Sequence, residues 1–433
     1  MIRNLGEKYS PLYFLAALGF GGMSVFFFMA FMHITPHPDT PMPTFESIWD
    51  AWAAGGAFMK SSILIGYIGM IAMFITHLTL LAWNFREFSK FRRTEAYKTL
   101  KSTNAEVTLM AIPLTLGMTV NGMFVAAMAL IPGLWGIIES LMPLALLAYG
   151  SVGVLALVIM SAYLKRVIAA GFDFKANGGL NQLLSAFAFT MVTVGFAAPA
   201  AMSGNKTIVM LALLGSLFFG SIAVLLFVVF LPLGVMSMMR YGLSLQNSAT
   251  LWLAVPISTL LAITMLRLRH GLQTLETFTP GYDGAEAPKS SILVLVMLSA
   301  AIMFQMTFLG LGHLVMRQNG FYKEYLLGRE TASPAAFTLV CPGVGLSVLS
   351  MFALHVGLVS NGIVEKFSVT YYVLVAVIVV IAAVTLWSAV TLFRNQLSTK
   401  GAFALAQQRA NSESATVVTE QKTAAEKSTA DAR

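Results

Sequence analysis

Long apolar runs separated by short polar stretches fill the chain from residue 11 to residue 397. They divide into ten segments, the first five being Pro11–Ile34, Ala57–Trp83, Ala105–Ile131, Gly136–Leu164 and Leu180–Met202. The other five are Ile208–Met239, Ala249–Leu266, Ser291–Met316, Ala335–Val359 and Phe367–Phe393. A helix needs about 20 residues to cross a hydrocarbon core of about 30 Å, and each run is near or above that length. The pattern predicts an all-α, polytopic membrane protein whose spans pair as five helical hairpins. A short head, residues 1–10, precedes the membrane domain at 11–397. From Ser398 to Arg433 the chain turns to Ser, Thr, Ala, Gln, Glu and Lys, and is expected to be a disordered tail.

A proline punctuates every second run: Pro113, Pro199, Pro256 and Pro342, at intervals of 86, 57 and 86 residues. Pro143 and Pro232 fall in the intervening runs and weaken the contrast. Inside a helix, proline removes one backbone hydrogen bond and bends the axis. In a bilayer that is tolerated where the freed carbonyl faces protein or a water-filled path. The alternation therefore predicts kinked odd-numbered helices around a central pathway, with straighter helices outside. The first run has no such proline, and its glycines Gly19, Gly21 and Gly22 are expected to loosen it at the matching depth.

Composition agrees with the class. Only 11% of residues are charged, against about 25% in soluble domains. The net charge of +8 would point to nucleic acid in a soluble protein; here it follows from basic loops on one side. With both termini inside, the inner connections and ends carry 17 Lys and Arg and the outer ones 6. That bias predicts a multi-pass plasma-membrane protein, of the bacterial inner-membrane type, with cytoplasmic termini. The weak point is the connection from Arg267 to Ser290, which places Arg267 and Arg269 on the disfavoured side. The basic loop Asn84–Asn104 serves as a topology signal or as an anionic-lipid patch.

No Walker loop, HExxH motif or Ser-His-Asp arrangement is present, so no catalytic residue, cofactor or metal site is expected. No Asp, Glu, Lys or Arg falls at a bilayer midplane; Glu106 and Glu139 lie at span ends. His77, His313 and His355 are titratable, but each reads first as a hydrogen-bonded packing residue. A solute would then be selected by a constriction and by dipoles. Candidate liners near the prolines are Thr115 and Asn121, Thr193 and Ser203, and Ser258 and Thr259. Each of these also reads as glue between helices.

Ten spans, cytoplasmic termini and prolines on the odd members resemble the tellurite-resistance and dicarboxylate transporter family, which includes TehA and the plant slow anion channels. The stretch Ala336-Phe337-Thr338-Leu339-Val340-Cys341-Pro342-Gly343 matches that family's ninth helix. The likeness implies a central pore within the odd helices, a homotrimer and a small anionic solute. In the family a phenylalanine directly before this proline plugs the pore; here that place holds Cys341, with Phe337 about one turn earlier. A TsoY-like subgroup is the nearer resemblance, and it implies a sulfur- or selenium-containing oxyanion. Pore or gate candidates are thus Cys341, Phe337, Pro342, Gly343, Pro113, Pro199 and Pro256. An alternative is a membrane thiol-redox protein in which Cys341, the single cysteine, reacts with a partner thiol. A third reading makes Cys341 a small packing residue.

Overall fold

A computed structural model describes residues 1–279, 291–398 and 401. Except for Ser398 and Gly401, the tail expected to be disordered lies outside the described residues, as does Lys289. Ten helices are long and apolar enough to cross a membrane. They are α1 (Pro11–Ile34), α2 (Ala57–Phe91), α3 (Asn104–Leu130), α4 (Leu134–Ala170) and α5 (Leu183–Met202). Then follow α6 (Lys206–Tyr241), α7 (Leu245–Glu276), α8 (Ile292–Gln318), α9 (Pro334–Val359) and α10 (Val369–Leu397). The protein is an all-α polytopic membrane protein, and no strand occurs among the described residues.

Each odd helix packs on the even helix that follows it, which gives five hairpins. The odd helices also touch one another in the order α1–α3–α5–α7–α9, and α9 returns to α1. That closes a five-membered ring. Each even helix sits outside, between its partner and the next odd helix. Burial separates the two layers: 67–89% of the apolar core of each odd span is buried, but only 17–28% of each even span. Side chains such as Leu147, Val228 and Val379 consequently face outward from the even helices.

The N-terminal residues and the end of α10 meet on one face, here called the terminal face. The Ile2 amide donates to the Leu397 carbonyl at 3.1 Å, and the Trp83 indole donates to the Ile2 carbonyl at 2.6 Å. Residues 1–10 are therefore not a free head: Ile2, Leu5 and Tyr9 are buried in the main core. The Glu87 carboxylate accepts from the Leu5 amide at 2.9 Å and pairs with Lys90 at 3.0 Å.

On this face four of the five odd helices do not start as α-helix. α1, α3, α7 and α9 begin as 3₁₀ turns at Pro11–Tyr13, Asn104–Met110, Leu245–Leu253 and Pro334–Leu339. These tighter segments pack against one another as a collar. Serine and threonine hydroxyls support the winding by donating to the carbonyl three residues back. The pairs are Thr108 to Ala105 and Thr250 to Asn247 in α3 and α7, and Ser185 to Gln182 and Thr338 to Ala335 in α5 and α9.

The prolines mark this joint and not a mid-helix kink. The α-helical parts of α3, α7 and α9 begin at Ala111, Ala254 and Val340, so Pro113, Pro256 and Pro342 are each the third residue. The first amides of an α-helix have no i−4 partner within it, so a residue without an N–H is cheap there. Pro199 is different: it lies near the far end of α5, and the third α-helical residue of that span is Ser185. Of the two 86-residue intervals, Pro256 to Pro342 thus joins equivalent positions and Pro113 to Pro199 does not. Pro143 and Pro232 are the prolines that do lie inside even helices.

The glycines of α1 also act otherwise than expected. The helix runs unbroken from Phe14 to Ile34. A methyl group at Gly19 would come within 2.7 Å of Val340 Cγ1, so the glycine admits α9 and does not loosen α1. At the far end of α7, a methyl group at Gly271 would lie 2.8 Å from the Ala200 carbonyl oxygen of α5. Backbone cannot yield as a side-chain tip does. Gly271→Ala is expected to lower stability in detergent by about 1–3 kcal/mol. Gly310→Ala, with nothing within 4 Å, should be neutral or raise stability by up to about 1 kcal/mol. Thermal unfolding of the two variants in the opposite order would contradict this packing of α7 on α5.

Candidate functional site

Above the collar, the five odd helices enclose a cavity of about 160 Å³. All five contribute to its wall, which carries Met29, Met118 and Met191 among its methionines and Phe187 and Phe352 among its aromatics. It extends from Leu18, Phe187 and Cys341 beside the collar to Met42, Met202 and Arg267 at the opposite, distal face. Cys341 follows the collar directly as the second α-helical residue of α9, and so lies at the floor.

Four of the expected residues come together here: Cys341, Asn121, Pro256 and Thr259. Beneath the floor, Phe337 is fully buried in the collar, its ring 6.1 Å from that of Tyr13. It does not line the cavity. Pro342 is buried at the joint of α9, and a methyl group at Gly343 would overlap Thr385 of α10, so that glycine faces away from the cavity. Pro113 and Pro199 are buried outside the cavity wall.

The remaining polar candidates hold helices together. Thr115 donates to the carbonyls of Ala111 at 2.8 Å and Phe14 at 3.1 Å, joining α3 to α1. Thr193 donates to Phe189, and its own carbonyl accepts from Ser216 of α6 at 3.0 Å. Ser203 donates at 2.7 Å to Glu139, which also accepts from the Gly204 amide, tying the α5–α6 turn to α4. Ser258 and Thr259 turn to the Val255 carbonyl, and Gln305 of α8 clamps all three. Only Thr259 also reaches the cavity. Gln305 escaped the sequence reading because one glutamine in an apolar run has no periodic signature. His77 is a packing residue, bonded to the Ala17 carbonyl and Thr119 hydroxyl.

Two further liners emerge only from the fold. Tyr149 belongs to an even helix, but it passes over Gly195, which has no side chain to block it, and reaches the cavity. Arg267 is not in a loop. α7 continues to Glu276, and Pro256, Leu260, Ile263 and Arg267 recur at helical spacing along one cavity-facing stripe. Sequence reading ended this span at Leu266 because Arg267, Arg269 and His270 look like a polar boundary. The stripe spacing was the signal available to extend it.

The polar lining has one sign. Arg267 is half-buried, the one charged side chain among the described liners, and it has no hydrogen bond or ion pair to a described residue. The Asn121 amide and Tyr149 hydroxyl likewise have no hydrogen bond to a described residue. These groups offer N–H and O–H donors, and no carboxylate faces them in the described lining. Among the described residues no cluster of His, Cys, Asp and Glu has metal-binding geometry. Outside the spans, the Glu46 carboxylate is held below its usual range by the Gly133 amide, which donates at 2.6 Å and closes the distal loops over the bundle.

Compared with family models, curated proteins and solved structures, the chain matches none.

The placement of Cys341 generates a direct expectation. A small thiol reagent should modify it in the folded protein, and a bulky polymer-linked reagent should modify it only after unfolding. Labelling by neither reagent until the protein unfolds would place the thiol in packing and remove it from the cavity floor.

Proposed function

We propose that the chain is a transporter or channel that passes a small anion through the cavity within its odd helices. The observation that carries this reading is the lining itself. A guanidinium, an amide and a tyrosine hydroxyl without described hydrogen-bond partners share a mostly apolar lining that has no carboxylate among its described residues. Burying a cation without a counter-charge is costly unless a ligand supplies one. A planar guanidinium also suits an oxyanion, which it can hold through two parallel hydrogen bonds. The methionines and Cys341 favour a polarisable solute such as a sulfur- or selenium-containing oxyanion.

In this reading the collar is the closed gate. Solute enters from the distal face as far as Cys341, and passage requires the 3₁₀ segments to rearrange. Such segments often mark hinges when they occur within a span. The excess of Lys and Arg on the terminal face makes that face cytoplasmic. Kinship with the tellurite-resistance and dicarboxylate transporter family, and assembly as a homotrimer, belong to the same proposal; the ring of five odd helices supports the kinship. Thiol-redox chemistry at Cys341 would need a thiol from another molecule, since the chain has one cysteine.

Anion flux into liposomes containing only this protein tests the reading. Arg267→Gln should reduce flux by about tenfold or more, because a hydrogen bond to a charged group contributes roughly 1.5–3 kcal/mol. Arg267→Lys should retain an intermediate rate, keeping the charge but losing the fork. Unchanged flux in correctly inserted Arg267→Gln protein would overturn the assignment of this residue to the path.

A further inference from the structure

At the distal face, α1 and α9 meet through two imidazoles. His33 and His355 stack with ring centroids 3.8 Å apart and planes 6° from parallel. Phe352 packs edge-on against His33 at 6.3 Å and itself lines the cavity. The stack is therefore part of the structure that shapes the distal wall. His355 lies in the stretch Ala353–Val359, where α9 changes from α to π winding. Such insertions are uncommon and concentrate at functional sites.

The hydrogen bonds define the protonation of the stacked state. His355 Nδ1 is 2.9 Å from the Met351 carbonyl, which can only accept, so Nδ1 carries the proton. Nε2 of the neutral ring then accepts from the Tyr371 hydroxyl of α10 at 3.1 Å. His33 Nε2 is buried and has no hydrogen-bond partner. The charged neighbours add no relief. Lys366, on the α9–α10 connection, acts on both rings, and His37, on the α1–α2 connection, acts on His33. No described carboxylate forms an ion pair with either ring.

We infer that His33 and His355 form a proton-binding site that widens the distal end of the cavity on acidification. The stacked pair accommodates one added proton at most. Tyr371 can turn and accept from a protonated His355, but a proton on His33 Nε2 would find no acceptor. Two charges would also stand face to face at contact distance, with Lys366 beside them. Once separated and wetted, each ring is an ordinary solvated imidazole, the one side chain that gains its proton between about pH 5 and 8. The separated state binds more protons than the stacked one, so lowering the pH through that range shifts the balance toward separation. Stability of the stack is thus fully present above this range and lost below it. Moving α9 away from α1 carries Phe352 with it and widens the cavity wall. The functional consequence rests on the cavity being the solute path; the proton site itself does not.

Hydrogen–deuterium exchange of residues 353–359 in the full chain, corrected for intrinsic rate, reads the stack directly at about pH 8 and about pH 5.5. The wild-type protein should exchange at least about threefold faster at the acidic pH. His33→Phe keeps an aromatic ring in the stack but cannot be charged, so its exchange should be insensitive to pH. Liposome flux should rise on distal acidification in wild type and not in His33→Phe. Wild-type exchange that does not respond to pH would overturn the proposal, whatever the flux. An equal acid response in His33→Phe and His355→Phe would overturn it also. Acid-dependent exchange without any anion flux would leave the proton site standing and remove the solute path.

Discussion

In a bilayer no water is available to an unpaired backbone amide or carbonyl, and that constraint organises this molecule. Ten helices satisfy it locally, and where the odd helices leave the α-helical pattern they do so inside the bundle. The 3₁₀ collar keeps its carbonyls bonded by tighter winding and by Ser and Thr hydroxyls from four spans. The even helices form the outer layer, with only 17–28% of their apolar cores buried. Layering and the closed ring both follow from placing irregular backbone where protein surrounds it.

Small residues set how close the ring can draw. Gly19 admits Val340, and Gly345 would meet Thr259 Oγ1 at 2.8 Å if it carried a methyl group. The ring draws close beside Cys341, and Met and Phe side chains wall the cavity above it. Polar groups are divided between two tasks. Thr115, Thr193, Ser203 and Ser258 spend their hydroxyls on neighbouring helices, whereas Asn121, Tyr149 and Arg267 keep donors toward the open space.

Much of this was visible in the sequence because hydrophobic length is a strong signal. All ten spans, their order and the inner position of the odd ones were expected from run length and alternating prolines. Ends were less visible. α7 runs ten residues beyond Leu266 because a helix lining a cavity tolerates Arg267, which a lipid-facing helix would not. Proline reports a break without reporting its kind: Pro113, Pro256 and Pro342 mark helix starts, while Pro199 marks the far end of α5. The His33–His355 stack joins residues more than 300 positions apart, and no local pattern announces it. Tyr149 depends on the absence of a side chain at Gly195, a long-range fact of the same kind.

The central claim is that the odd helices, with Tyr149 of α4 reaching between them, enclose a solute-accessible cavity, open above the collar and closed at it. Cysteine accessibility in a Cys341→Ser background measures this directly, with a small charged thiol reagent applied to intact vesicles from either side. Single cysteines at Val344, Met191 and Met118 should be labelled from the distal side only. Cysteines at Phe337 in the collar, and at Leu147, Val228 and Val379 on the even helices, should remain unlabelled. Labelling of the even-helix positions, or protection of all three cavity positions in folded protein, would contradict the account.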